Sequence, residues 1–205
     1  MNSKTKAIIL AGGEGKRLRP LTNDKPKCMV EIFNKSILEH QINCLRECKI
    51  SDITVITGYR SEKINFPNIN YVKNENYKET NMVNALFLVP EKLNGSVIIS
   101  YGDIIYEKEI ILKLLNTNDD FSVVVDKKWQ ELWNIRFENP LDDAESLKID
   151  KYGYIINIGQ KVKKIEEIQG QFIGLMKFQN DGLTLLKKYY ENFRQKSEKN
   201  KINVL

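Results

Sequence analysis

The chain has 205 residues, 41% apolar and 29% charged, with a net charge of +5. That is room for one α/β domain with a real core, and the balance excludes disordered, collagen-like and disulfide-scaffold chains. No apolar run reaches the ~20 residues of a membrane span, and Met1 to Lys6 lack the ~7–15-residue apolar core of a signal peptide. A cytoplasmic protein with no membrane partner is expected.

The positive charge does not predict nucleic-acid binding. The 32 basic residues are scattered among 27 acids, and all but six of them are Lys. Asn and Ile are abundant too, which points to codon composition; the Lys-rich stretch at 196–201 reads as a solvated helix face. Cys28, Cys44 and Cys48 form no CxxC pair, so a zinc site lacks ligands. A single histidine, His40, removes every mechanism that needs two, and its polar helical setting reads as surface. The chemistry must rest on Lys, Arg, Asp and backbone.

In chain order, Lys6 to Leu10 is a buried strand ending at a glycine cluster. Ser36 to Cys48 is a helix, capped by Ser36 with Glu39 three residues on, and Ile37, Leu38, Ile42 and Leu45 form its apolar stripe. Strands follow at Ile53 to Thr57 and Asn68 to Val72. Thr80 or Asn81 caps a helix running towards Val89 and Pro90. Val97 to Ser100 is a strand ending at Tyr101-Gly102-Asp103, followed by a helix at Lys108 to Leu115 and a strand at Phe121 to Asp126. Beyond Lys127 short alternating runs at 134–138, 147–149, 154–158 and 172–178 predict antiparallel or mixed β-structure, added to the first part. Asp181 to Lys199 is a closing helix. One domain results, with a nucleotide-binding half (1–126), an acceptor-binding half (127–178) and a closing helix (179–205).

The informative segment is Leu10-Ala11-Gly12-Gly13-Glu14-Gly15-Lys16-Arg17-Leu18-Arg19-Pro20-Leu21-Thr22. Three glycines in four residues, after a buried strand, let the backbone approach a ligand and aim N–H groups at an anion. Such loops lie at the carboxyl edge of an α/β sheet. A dinucleotide fingerprint would need glycine at Leu18; a Walker A loop would need glycine at Leu10 and Ser or Thr at Arg17. Both fail. Instead the loop carries Arg17, and Lys27 follows Pro26, so phosphates could be wrapped by N–H groups and clamped by two cations. Asp103, a lone acid after Gly102 at a strand's carboxyl edge, has the chemistry of a Mg²⁺ ligand shared with phosphate oxygens, the competing explanation being a strand-end acid that caps the Lys108 region.

The glycine loop with Pro26-Lys27 resembles the signature of sugar-nucleotide and phosphocholine-type nucleotidyltransferases. The resemblance extends through Thr80-Asn81-Met82 and Ser100-Tyr101-Gly102-Asp103. In the second half, 133–148, Gly159-Gln160-Lys161 and 170–178 resemble the branch that uses CTP. This likeness implies an α/β, Rossmann-like (GT-A-like) fold, with a mixed, mostly parallel central sheet and helices on both faces. It implies that CMP passes from CTP to a small phosphorylated or phosphonylated amine, with pyrophosphate released, for surface-polysaccharide decoration.

It further implies that Leu10, Ala11, Gly12, Gly13, Glu14, Gly15, Lys16 and Gly102 hold the nucleotide, with Arg17 and Lys27 on the triphosphate and Asp103 on magnesium. Lys161 matches the lysine that meets the acceptor's phosphate. Thr80, Asn81 and Met82 match the turn at the cytosine or ribose, though helix capping explains Asn81 equally well; Tyr59 would line the same pocket. Arg136, Asp142 and Glu145 would sit near the acceptor's variable end, where an ordinary polar loop is the competing explanation. Relatives continue into a segment with a second metal-binding aspartate. Here the sequence ends at Ile202-Asn203-Val204-Leu205 and no second ligand can be assigned. A homodimer is left open, and a hexose-1-phosphate nucleotidylyltransferase and a non-catalytic nucleotide-binding module are the competing readings.

Overall fold

The computed structural model describes residues 5–202, with side chains to residue 196. The end of the chain at Asn203 to Leu205, and the side chains of the basic stretch beyond Lys196, lie outside the described residues. The helices and strands cluster into two compact units, Met1–Ser122 with Leu175–Leu205, and Val123–Gly174.

The first unit opens with β1 (Lys6–Ala11), whose run of small and β-branched side chains is buried on both faces, as a central parallel strand requires. A hairpin, β2 (Glu31–Ile32) and β3 (Lys35–Ser36), leads into α1 (Ile37–Glu47). Ser36 caps α1 by accepting a hydrogen bond from the Glu39 amide. Next come β4 (Ile53–Thr57), β5 (Asn70–Lys73), α2 (Met82–Leu86), β6 (Ser96–Tyr101), α3 (Lys108–Leu115) and β7 (Phe121–Asp126). The chain returns through β10 (Gln171–Gln179) into α5 (Asn180–Ile202).

The main sheet has the order β5-β4-β1-β6-β10-β7. β1 is parallel to β4 and β6, and β4 to β5, while β10 joins β6 antiparallel, with Lys177 opposite Ile98. This is the mixed, mostly parallel sheet expected. On one face Ile8, Leu10, Ile56, Val97, Ile99 and Phe178 pack with Leu86 of α2 and Leu183 of α5. The alternate face carries α1 and α3: Gln41 of α1 bonds Ser100, and Lys177 reaches the carbonyls of Leu115 and Thr117 at the end of α3.

Several expectations need correction. The alternating run at 134–138 is not a strand but lies across the end of α4 (Trp129–Arg136). Ile135 is 83% exposed, whereas Trp129, four residues before Trp133, is buried; the period of four outweighs the apparent alternation. The helix after Asn81 stops at Leu86 because Pro90 disfavours a helical Val89, which sits at φ −128°, ψ 53°. The strand placed at Asn68 begins two residues later, since Asn68 itself is left-handed (φ 58°). His40 is half-buried, and its Nε2 donates to the Ile32 carbonyl at 2.8 Å.

The second unit, taken by itself, holds α4 and an antiparallel pair, β8 (Glu145–Ile149) and β9 (Ile155–Lys161). Its small core joins Trp129, Ala144 and Ile168, with Trp133, Leu141, Val162 and Ile165 against them.

Candidate active site

Parallel pairing puts the carboxyl ends of β1, β4 and β6 at one edge of the first unit, and the glycine loop, Gly58 and the Gly102-Asp103 turn all emerge there. The three are stitched together by backbone. Gly102 N donates to Leu10 O at 2.9 Å, and Tyr59 N to Gly12 O at 3.2 Å. Gly58 faces Gly12 so closely that a Cβ there would come within 2.7 Å of both the Gly12 carbonyl and Tyr77 Cβ.

The loop folds back on itself. Gly15 is left-handed at φ 68°, which a side chain would strain, and this turn starts a short 3-10 helix at Lys16–Leu18. Thr22, fully buried, donates its hydroxyl to Gly15 O at 2.8 Å, and Lys27 N donates to Gly13 O at 3.3 Å. Pro26 precedes a second 3-10 turn, Lys27–Met29, which buries Cys28. Glu14 is engaged by Lys16 (3.6 Å) and Arg19 (3.7 Å). Arg17 is exposed and makes no ion pair with any described residue, so its guanidinium is uncommitted.

These loop contacts bring Lys27 to Asp103. Its ammonium donates to Asp103 Oδ2 at 2.5 Å across 76 positions of sequence, both side chains being about one-third exposed (32% and 30%). The expected phosphate cation and the expected metal carboxylate therefore occupy one point. Among the described residues no group of three His, Cys, Asp or Glu could hold a metal. A lone, partly exposed carboxylate suits an ion that arrives with phosphate oxygens, and Mg²⁺ bound through one carboxylate plus substrate phosphates fits that donor set.

Tyr59 lies against the loop through its amide, and its hydroxyl donates to Asn23 O at 2.9 Å. Asn81 spends its side chain on the cap of α2, accepting from Asn84 N at 2.9 Å. Thr80 is not the cap; its hydroxyl donates to Asn76 O and accepts from Asn74 Nδ2. Met82 is exposed at the first turn of α2. The cysteines are buried and free: burial pushes the Cys28 and Cys44 thiols up to about 12, which makes them inert at neutral pH.

Within the second unit, Lys161 ends β9 exposed to solvent and pairs in register with Glu145 of β8. Arg136 lies over the rings of Trp133 and Phe137, 5.1 Å from each centroid. Asp142 accepts from Asn139 Nδ2 at 3.0 Å. Of these second-half residues, the unit brings Lys161 and Glu145 together, while Arg136 and Asp142 are each engaged by local neighbours. A polar contact that composition and motif did not reveal is Gln41: it is 1% exposed on the apolar stripe of α1, a placement that a wholly apolar helix face would not predict.

Residues 6–118 match the nucleotidyl transferase family. Among curated relatives, the CTP:phosphoglutamine cytidylyltransferase of Campylobacter jejuni is 42% identical over 196 residues, covering 90% of this chain and 77% of the relative. The choline-phosphate cytidylyltransferase of Streptococcus pneumoniae is 38% identical over 122 residues, covering 58% of this chain, and this match spans about half (53%) of that relative. The solved structure of CTP:phosphocholine cytidylyltransferase from Streptococcus pneumoniae superposes with a TM-score of 0.68 at 22% identity, covering 93% of this chain and 79% of that one, and so shares the fold. With the glycine loop, Lys27 and Asp103 gathered at one sheet edge and these relatives alongside, the chain belongs to the nucleotidyl transferase family.

Proposed function

We propose that the protein is a cytidylyltransferase that joins CMP to a small amine-bearing phosphate or phosphonate and releases pyrophosphate. The observation that carries this reading is the junction of Lys27, Asp103 and the Gly12–Gly15 loop at the ends of β1 and β6. The relative at 42% identity favours cytosine as the base and phosphoglutamine among acceptors.

The chemistry asks little of proton transfer. An acceptor phosphate or phosphonate is already anionic near neutral pH, so its oxygen attacks the α-phosphorus of CTP directly. The new P–O bond forms as the bond to the β-phosphate bridging oxygen breaks, and pyrophosphate carries away the electron pair. The difficulty is the accumulation of negative charge, which fixed cations offset. In this reading the loop amides bind and orient the triphosphate, and the charges of Arg17 and Lys27 offset its own. Lys27 and Asp103 hold each other through their ion pair, which fixes both side chains at the loop. Mg²⁺, when bound with CTP, would be held by Asp103 and would supply charge neutralisation on the phosphates. On the second unit Lys161 is the candidate for the acceptor's phosphate, with Arg136, Asp142 and Glu145 for its amine-bearing end. The product is an activated CMP conjugate, suited to a transferase that decorates a surface polysaccharide.

Pyrophosphate release, measured with each of the four NTPs against phosphoglutamine, phosphocholine, aminoethylphosphonate and glucose 1-phosphate, tests the reading. Turnover is expected with CTP and an amine-bearing acceptor. Equal release with UTP or dTTP, or turnover only with the hexose phosphate, would overturn it.

A further inference from the structure

The apolar stripe of α1 is interrupted once, at Gln41, between Leu38 and Ile42. Buried polar side chains need partners, and this one has three. Its Nε2 donates to Tyr101 O at 3.0 Å and to Ile104 O at 2.7 Å, and its Oε1 accepts from Ser100 Oγ at 3.0 Å. The amide orientation is unambiguous, because a flip would set Oε1 against two carbonyl oxygens that cannot donate. The two carbonyls it grips bracket Gly102 and Asp103. From the opposite flank Gly102 N is tied to Leu10 O. The backbone that carries Asp103 is thus held from both sides, by β1 through Gly102 and by α1 through Gln41.

We infer that Gln41 is a positioning residue for metal binding: it sets the Asp103 turn so that the carboxylate presents itself to the cation that accompanies the triphosphate. This rests on the reading of Asp103 as a metal ligand. Gln41 touches no substrate atom; it acts through the turn. Loss of such outer partners of a metal ligand typically lowers metal affinity or activity about 10–100-fold. Ser100 also lies 3.1 Å from Tyr101 O but contributes nothing to the grip on Ile104. Ser100→Ala therefore removes the hydroxyl while leaving both Gln41 donors in place.

The test is Mn²⁺ binding, read by electron paramagnetic resonance with CTP present and no acceptor, in the wild type and the variants Q41M, Q41E, S100A and D103N. Q41M keeps the length and packing of the side chain and removes every hydrogen bond. It is expected to weaken Mn²⁺ binding about 10–100-fold, with S100A near wild type. Should Q41M not accumulate as folded protein, Q41E is read by the same criterion, since its carboxylate keeps the acceptor for Ser100 and loses both amide donors. Wild-type Mn²⁺ affinity in a folded Gln41 variant, with D103N impaired, overturns the positioning role alone. Wild-type affinity in D103N overturns the metal reading of Asp103 beneath it, and the inference with it.

Discussion

Two glycines of the same loop should fail in opposite ways when given a methyl group. At Gly13 a Cβ would meet nothing within 4 Å, and the residue is exposed. Gly13→Ala should therefore fold normally and even gain about 0.4–1 kcal/mol from the stiffer unfolded chain. At Gly15 the backbone is at φ 68°, and a Cβ would lie 3.0 Å from Lys27 Cβ and 3.1 Å from Thr22 Cγ2. The left-handed conformation costs an alanine about 1–2 kcal/mol, and crowding against two fixed neighbours adds roughly 1 kcal/mol. Set against the same gain in the unfolded state, Gly15→Ala should be about 1–3 kcal/mol less stable. For a chain of this size that lowers Tm by roughly 3–9 °C. The contrast lies in binding. If phosphate oxygens approach the loop amides, the only thing a Gly13 methyl can strike is the ligand, and losing one charge-assisted hydrogen bond weakens CTP binding about 10–100-fold. Thermal unfolding and calorimetric titration with CTP on both variants decide the matter. A Gly13→Ala protein that binds CTP like wild type would remove the loop from the nucleotide site, and one as unstable as Gly15→Ala would refute the reasoning from open space.

Other outcomes follow from the same geometry. Arg17→Ala should leave Tm unchanged, because the side chain has no described ion-pair partner, yet lower turnover about 10²–10³-fold; unchanged turnover in a steady-state assay would take Arg17 out of the site. Asp103→Ala should lose metal-dependent turnover while costing little stability, since an ion pair this exposed is worth about 0–1 kcal/mol; near-wild-type activity would refute the metal assignment. Burial, with a further push from the Asp103 carboxylate, raises the Cys28 thiol from 9.0 to about 12. Its contribution to stability is thus complete below pH 9 and is lost as pH climbs towards 12, at up to about 1.4 kcal/mol per pH unit. Cys28→Ala should flatten that part of the alkaline stability profile, measured by urea unfolding between pH 8.5 and about 10.5. Lys177, 1% exposed, donates to the Thr117 carbonyl at 2.6 Å beyond the end of α3. Lys177→Met should cost about 1–3 kcal/mol by leaving buried carbonyls unmet, with turnover per folded molecule preserved.

What was legible in the sequence was whatever is local. β1, α1, β4, α3 and β7 carry their own periodicity and stop signals, and they stand within a residue of where patterning puts them. The loop from Gly12 to Lys27 was legible for the same reason, as one contiguous motif. Its meeting with Asp103 was not, because it depends on the parallel register of β1 and β6, which brings positions 76 apart into contact. Gln41 is not legible in the sequence, because a helix-face pattern is carried by its apolar members and a single amide among them reports only once its carbonyl partners are known. The end of α4 looks like a strand in the sequence because Ile135 and Phe137 imitate alternation, while the burial belongs to Trp129, earlier in the helix.

The placement of β10 bears on how the protein is made. β6 is complete at Tyr101, but the segment of β10 that pairs with it begins at Leu175, so Ile98 waits 79 residues for Lys177. During synthesis the β6 edge, flanked by Val97 and Ile99, is an open row of amides and carbonyls for the whole of that interval. The nascent chain must keep this edge from other chains until residues 175–179 emerge, so the arrival of β10 closes an edge that could otherwise pair wrongly.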